Sequence, residues 1–557
     1  MRHMLRKWLK YFFFAGLFSL VVNVLYLALP LYVLILFEKV LDSYSFSSLL
    51  TVTVGTVFAL AILGLLQFLR SRILIRSALR MDAGLARTVF SEMLAAGISF
   101  TRPAYRQGLS DLHILRNYLA DGSLGALFDV FFVPVFLLLV FILHPVLGLI
   151  ALSGAVVFGL LALLQHRLIR KRWDQTRAVQ DLGADLLDAT LKNLESVKAM
   201  GMDQGITAEW RQGHHRDASL QARVNGCLTG LQSLNTFLLL TLEAVVLGFG
   251  ISLVFEGAMT EGMAVAAMLL TARSLLPLER LMFAWKRSVE ARGAYKRLDQ
   301  LLKGTVGQEH LELPAPQGRL EVEGAGLALA GRQLLRNISF TLEPGEFLGV
   351  IGPSGAGKTV LSKILLGIWP SQGGKVRLDG ADVYQWDHQE LGPHLGYLAQ
   401  EVSLFSGSVS RNIARLGERD PDLVLEAAKK ADLHESILRL PQGYDTEIGE
   451  GGSRLPAGQR RLLGLARAVY GQPKLVVLDE PNADLDDAGE QALVNCLRRL
   501  KEEGATTVMV TQKPVLLNAA DKVLVLKDGQ TAMFGPRQEV FQKIMGQKRQ
   551  PQAPQAT

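Results

Sequence analysis

The feature that most limits what this chain can fold into is the unbroken run from Tyr11 to Phe37, which carries no charge. It is longer than the roughly 20 residues needed to cross the hydrocarbon core of a bilayer. Arg2, Arg6, Lys7 and Lys10 precede it, as in a signal peptide. The run is too long for a signal-peptide core, however, and no small-x-small cleavage site follows, so a retained helix is expected. Further apolar runs lie at 46–69, at 122–143 with one charge, Asp129, and at 145–165. Two more lie at about 226–255, enclosing Glu243, and at about 262–282, interrupted by Arg273 and Glu279. Six membrane crossings are therefore predicted, with His144-Pro145 forcing a tight hairpin between the third and fourth.

Loop charges give these crossings a direction. Eight arginines fall in 70–118 and ten basic residues in 166–223, whereas the alternate connections hold only Lys39. The positive-inside rule then places both termini and both long loops in the cytoplasm. The long loops carry apolar residues at helical spacing (Leu182, Leu186, Ala189, Leu194, Val197), so they read as helices continuing beyond the bilayer. Their far tips, near Pro103–Leu109 and Met202–Trp210, are expected to couple to the rest of the chain. Residues 1–300 have a net charge of +9 (30 Lys+Arg, 21 Asp+Glu) and residues 301–557 a net charge of −2 (29 and 31). The basic surplus thus belongs to the apolar half and its membrane surface, not to a nucleic-acid footprint. Cys227 and Cys496 cannot build a disulfide framework or a cysteine-rich metal site. Charges within a span are expensive. Asp129, Glu243 and Arg273 either line a translocation path, or Glu243 and Arg273 pair for structure. Pro30, Pro134 and Pro277 read as tolerated kinks.

After residue 302 the texture changes. Residues 303–318, with Gly304, Gly307, Pro314, Pro316 and Gly318, read as a linker. Short apolar runs alternating with helical patterns then predict an α/β domain over 319–545, and 546–557 reads as a disordered polar tail. The strongest chemical signal is Gly352-Pro353-Ser354-Gly355-Ala356-Gly357-Lys358-Thr359, which follows the strand-like run 347–351 and precedes a helical pattern. That context is the one a phosphate-binding loop requires. Glycines let backbone N–H groups converge on phosphate oxygens at a helix N-terminus. Lys358 is expected on the β/γ-phosphates and the Thr359 hydroxyl on Mg²⁺. A fully apolar strand, 475–478, ends in Asp479-Glu480. Asp479 is suited to the Mg²⁺ shell and Glu480 to polarising the attacking water of phosphoryl transfer.

On these motifs the second half resembles the nucleotide-binding domain of an ABC transporter over about 319–540. Leu398-Ala399-Gln400 resembles the Q-loop, whose glutamine meets the metal and water. Leu455-Pro456-Ala457-Gly458-Gln459, followed by Arg460-Arg461, resembles the ABC signature. Ala483-Asp484-Leu485-Asp486 resembles the D-loop, and 446–452 the exporter-type loop. The resemblance implies that two such domains sandwich two ATP molecules, each signature completing the partner's site. The fold it implies is a six-helix, all-α exporter-type transmembrane domain (1–302) followed by an α/β P-loop nucleotide-binding domain. Such a half-transporter works as a pair of chains, here a homodimer. The passages 31–41, 285–301 and 367–387 extend the likeness to the type I secretion exporters of proteases and haem-binding proteins. That likeness implies a bacterial inner-membrane location, a periplasmic membrane fusion protein, an outer-membrane channel and a secreted polypeptide cargo.

Three positions depart from the family pattern. Pro456-Ala457 stands where Ser-Gly is usual, and Gln512 stands at the switch histidine. Leu329 falls near the place of the adenine-stacking aromatic. Glutamine can hydrogen-bond a γ-phosphate oxygen but cannot carry imidazole's proton. Phosphate binding is expected to survive and hydrolysis to slow. Two alternatives stay open: a lipid or small-molecule exporter, and a weakly hydrolytic half of a heterodimer.

Overall fold

The computed structural model describes residues 2–97, 107–303, 313–329 and 331–548. The expected tip at Pro103–Leu109 and most of the linker thus lie largely outside the described residues. The chain divides into two compact units, Met1–Val306 and Gly307–Thr557.

In the first unit, six helical segments are long and apolar enough to cross a membrane. They are Tyr11–Ser43, Phe46–Ala95, Gly125–Leu143, Pro145–Gln165, Asp203–Phe255 and Glu261–Met282. Four of the helices run on well past the apolar runs: Phe46–Gly97 (52 residues), Pro145–Lys192 (48), Asp203–Phe255 (53) and Glu261–Leu302 (42). At 1.5 Å per residue they are roughly 60–80 Å long, about twice the hydrocarbon thickness or more. Their outer faces expose Phe58, Leu160 and Phe237, while Val140, Leu147, Val246 and Ala267 fill the interior. An apolar exterior over an apolar interior suits a solvent of lipid tails, because all backbone hydrogen bonds are made within each helix.

The prolines act differently from one another. The first run does not form one helix. It breaks at Tyr26-Leu27 into Arg2–Leu25 and Ala28–Ile35, then widens through a π turn at Leu36–Val40. The break falls four residues before Pro30, whose ring would collide with the Tyr26 carbonyl in a regular helix. The 122–143 run likewise breaks at Phe131-Phe132, with Pro134 in the first turn of Val133–Leu143. Pro277, in contrast, lies inside the unbroken Glu261–Leu302 helix.

Asp129 is held by two neighbours. Its carboxylate accepts from Arg70 Nη1 at 2.9 Å and Asn23 Nδ2 at 3.0 Å, and Arg70 Nη1 also donates to the Ser19 hydroxyl at 2.9 Å. Ser19, Asn23 and Asp129 are all buried. Arg273 lies over the Tyr26 ring at 4.5 Å, and no Glu243–Arg273 ion pair occurs among the described residues.

The second unit is built on two sheets. A four-stranded antiparallel sheet has the order β2-β1-β4-β5, from β1 (Leu320–Leu329), β2 (Arg332–Leu342), β4 (Gly373–Leu378) and β5 (Ala381–Asp382). A six-stranded sheet has the order β10-β9-β3-β8-β7-β6. Its strands are β3 (Phe347–Ile351), β6 (Leu395–Leu398), β7 (Leu475–Asp479), β8 (Thr506–Val510), β9 (Lys522–Lys527) and β10 (Gln530–Pro536). All of these except β10 run parallel. Both faces are covered, which is why β7 reads as a continuous apolar run. Leu475 and Val477 pack in one core, Val476 and Leu478 in the other. Near the linker's end, the Asp379 carboxylate accepts from the backbone N–H groups of Gln317, Gly318 and Arg319. At the far end, the Arg537–Lys548 helix takes in the first three residues of the expected tail, with Val540 buried beneath it.

Removing one partner of a buried ion pair leaves an uncompensated charge and costs about 3–5 kcal/mol. Arg70→Ala is therefore expected to lower the Tm of the detergent-solubilised protein sharply. The double change Arg70→Met/Asp129→Leu should recover most of the loss, as read by thermal unfolding.

Candidate nucleotide site

The parallel sheet brings four loops to one edge. The phosphate loop leaves the carboxyl end of β3, Thr511-Gln512 that of β8, Asp479-Glu480 that of β7, and Ala399-Gln400 that of β6. These four strands are neighbours in that order, with Val350 paired to Val510, Asp479 to Val510, and Leu398 to Leu478. Ligands of open α/β sheets sit outside the carboxyl ends of such strands. The bonding carries on past the strand ends: Thr511 N donates to the Val350 carbonyl at 3.2 Å and Glu480 N to the Val510 carbonyl at 2.9 Å.

Within the phosphate loop, two glycines are required by space. A Cβ on Gly352 would lie 2.3 Å from the Leu526 carbonyl. One on Gly357, at φ +94°, would lie 2.7 Å from the Leu335 side chain and 2.9 Å from the Leu334 carbonyl. Ala356 is buried, and Pro353, Ser354 and Gly355 form the outer turn. Lys358 and Thr359 open the Lys358–Leu365 helix, so the loop's amides and that helix end lie together, the arrangement that favours an anion. Lys358 is buried, and its Nζ donates to the carbonyls of Gly352 and Pro353, both at 2.9 Å. Those bonds fix the ammonium across the mouth of the loop.

Asp479 is wholly buried, and neither of its carboxylate oxygens accepts a hydrogen bond of ordinary length. The Thr359 hydroxyl nevertheless lies close enough to depress its proton affinity. Burial is the larger effect and pushes the Asp479 pKa up; Glu480 adds to the rise, while Lys358 and Lys363 oppose it. A buried carboxylate short of donors beside a hydroxyl and a phosphate loop is the donor set of a magnesium ion that takes its other oxygens from phosphates. The residues fit Mg²⁺, with Asp479 and Thr359 as those that would hold it. Gln400 is exposed, and its amide donates to Glu480 Oε2 at 3.2 Å. Glu480 itself has φ +48°, a left-handed conformation unusual for a non-glycine residue.

The signature opens the Ala457–Val469 helix with Pro456 at its N-cap. Leu455 is buried, Pro456 and Ala457 are exposed, and Gly458 and Gln459 are half-buried. A Cβ at Gly458 would stand 3.3 Å from the Asp484 carbonyl. No hydrogen bond links residues 455–459 to the phosphate loop among the described residues, so within one chain these two predicted elements are not joined. Gln512 is exposed just beyond β8, and Leu329 is half-buried at the end of β1. Asp486 caps the Asp487–Glu502 helix by accepting from Gly489 N at 2.8 Å.

The residue that the motifs left without a role is Arg461. Its buried guanidinium donates to the carbonyls of Ala483 at 3.0 Å, Ala399 at 3.0 Å and Gln400 at 2.9 Å, so one side chain ties two loops to the Ala457–Val469 helix. Burial lowers its pKa, opposed by the charges of Asp484, Glu480 and Asp479. The signal was in the sequence. Arg461 shares the apolar stripe of its helix with Gly464, Leu465 and Ala468, at positions three, four and seven further on.

The ABC transporter family matches residues 335–483, and the ABC transporter transmembrane region matches 12–276. The type I secretion system ATP-binding protein PrsD of Rhizobium meliloti is 37% identical over 95% of this chain and 92% of its own length. This chain belongs to the ABC transporters. Another relative, the cyclolysin secretion/processing ATP-binding protein CyaB of Bordetella pertussis, is 28% identical over 94% of this chain and 75% of its own length. Among solved structures, a bacterial Atm1-family ABC exporter with ATP bound has the same fold. Its TM-score is 0.82 at 20% identity, over 98% of this chain and 99% of that one. The transporter is thus of exporter type, with a multi-pass membrane domain followed by its ATP-binding domain.

Two outcomes follow from the burial at this site. A raised carboxyl pKa means that the folded state holds its proton more tightly than the unfolded state, whose value is near 3.8. The stabilising protonated form is then lost as pH climbs from that value through the raised one, and at neutral pH the charge costs stability. Asp479→Asn should therefore raise the Tm of nucleotide-free protein at pH 7, with a gain that shrinks toward pH 4, while weakening Mg²⁺-dependent ATP binding. Arg461→Ala leaves three carbonyls short of a donor, at about 1–3 kcal/mol each where they stay dry. It should lower the Tm and depress ATPase activity, yet spare the Lys358-dependent binding of nucleotide measured by titration.

Proposed function

We propose that this chain is the ATP-driven, inner-membrane component of a type I secretion system and exports an unfolded polypeptide. The observation that carries this reading is the 37% identity to PrsD, which spans both units. CyaB and the leukotoxin translocation protein LktB of Mannheimia haemolytica, 26% identical over 97% of this chain, point the same way. Two copies pair as a homodimer, with the nucleotide domain and both termini cytoplasmic, and they work with a periplasmic membrane fusion protein and an outer-membrane channel. The positive-inside pattern of the loops supports that orientation.

In the proposed site, Gly352 to Thr359 cradle the ATP phosphates and Lys358 supplies a point charge to the β/γ-phosphates. Mg²⁺, when bound, neutralises the charge on the phosphate oxygens. Asp479 and Thr359 would hold it from the protein side, with Gln400 as a further candidate ligand. Glu480, steadied by Gln400, polarises the attacking water, and Gln512 contributes a hydrogen bond to the γ-phosphate. Leu455 to Gln459 act on the partner's ATP, which agrees with their lack of hydrogen bonds to their own phosphate loop. Phosphoryl transfer asks the protein for position and charge stabilisation more than for covalent chemistry.

Lys358→Ala is expected to abolish nucleotide-dependent activity, whereas Glu480→Gln should keep ATP and trap it occluded, as read by nucleotide retention on both variants. Equal loss of binding in the two would remove the assignment of Glu480. Each missing transition-state contact costs about 1–3 kcal/mol, roughly one to two decades in rate. The purified protein should therefore hydrolyse ATP slowly, and Gln512→His, alone and with Pro456→Ser, should raise kcat. Hydrolysis only after mixing with a second, different half-transporter would replace the homodimer with a heterodimer. The secretion reading itself is tested by reconstituting export with and without a periplasmic adaptor and an outer-membrane channel.

A further inference from the structure

The first unit contains a cavity of about 480 Å³ that the transport reading does not use. It lies among the first span, the Phe46–Gly97 and Gly108–Ala120 helices and the Glu261–Leu302 helix. The polar groups that the Glu261–Leu302 helix adds to its lining lie toward one end. At the other end are Phe12, in the first turn of the first span, and Leu281, in the last turn of the sixth. Next comes Trp285, about 6 Å further along the helix, at the level where aromatic side chains favour the headgroups. Beyond it polar groups join Val289 and Ala291 in the lining. The Ser288 hydroxyl donates to Tyr118 Oη at 3.2 Å, and Arg292 follows one turn later.

The charge pattern singles out Arg292. Neighbouring arginines are neutralised: Arg287 by Asp121 at 2.6 Å, Arg297 by Asp111 at 2.5 Å and Arg116 by Asp82 at 3.6 Å. Arg292 is exposed and has no carboxylate partner among the described residues. The size and lining are those of a small-molecule site, predominantly apolar with a few placed polar groups. A ligand matching this arrangement has an apolar tail toward the bilayer and an anionic head at its surface. Basic pockets between membrane helices are a recurring form of anionic-lipid recognition.

We propose that this cavity binds an anionic phospholipid from the leaflet on the side of the basic loops. One acyl chain enters past Phe12 and Leu281, and the phosphate rests on Arg292 beside Ser288 and Tyr118. The site is separate from the nucleotide machinery and from the cargo's identity, so it would hold for any substrate class.

The test uses the full-length protein in detergent, exposed to equal amounts of phosphatidylglycerol and phosphatidylcholine with identical acyl chains, and native mass spectrometry of the retained lipid. The unmodified protein should retain phosphatidylglycerol in preference. Arg292→Gln should reduce that preference about five-fold while total retention holds, and Arg292→Lys should largely restore it. Ser288→Trp, which fills the cavity, should reduce retention of both lipids. Arg292 is exposed, so its variants remain informative if the tryptophan variant fails to fold. An unchanged preference in Arg292→Gln would overturn the proposal. So would cross-linking of a photoreactive side chain at position 288 to a polypeptide, whether cargo or a second copy, instead of to lipid.

Discussion

The nucleotide site depends on one arrangement, the side-by-side parallel pairing of β3, β8, β7 and β6. Parallel strands end on the same side, so the four segments that follow them emerge along one edge although up to 160 residues separate them in the chain. The registers carry the alignment to the atomic level, with Val350, Val510 and Asp479 in line. Arg461 then fastens the outer loops to each other. A guanidinium suits this task because its donors point in several fixed directions within one plane.

The membrane unit answers to a different constraint. In hydrocarbon a backbone must satisfy itself, which leaves long helices as the available form, and polar side chains must find one another. The Ser19–Asn23–Arg70–Asp129 cluster is such a case. Its acid was read from the sequence as a candidate for the translocation path, and in the fold it is engaged by Arg70 and Asn23. The same polar group borders a cavity of about 410 Å³ with Arg280 and Arg287.

Of the departures from the family pattern, Pro456, Ala457 and Gln512 fall on exposed positions and Leu329 on a half-buried one. Lys358 and Asp479, in contrast, are buried. The buried set is the one proposed to bind phosphate and metal, and it is intact. The exposed set would meet the nucleotide of a paired domain or its γ-phosphate. On the proposed reading, this division would let the altered residues bear on rate while leaving the fold of the domain untouched.

By itself the sequence determined the six apolar spans, the helical extensions, the phosphate loop and the acidic pair. Each is a local pattern: a run longer than a bilayer, a helical period, or a glycine spacing fixed by backbone sterics. The glycines were legible as a phosphate cradle, whereas the closeness of the Leu526 and Leu334 carbonyls, which leaves Gly352 and Gly357 no room for a Cβ, came from the fold. The tertiary structure alone decided which helices break, since Pro30 and Pro134 interrupt their runs and Pro277 does not, a choice made by neighbouring helices. It also decided that Asp129 meets Arg70, 59 residues away, and that Arg461 reaches Ala399, Gln400 and Ala483. Such contacts arise from strand order and helix packing, which bring together residues whose local sequence carries no record of the partner.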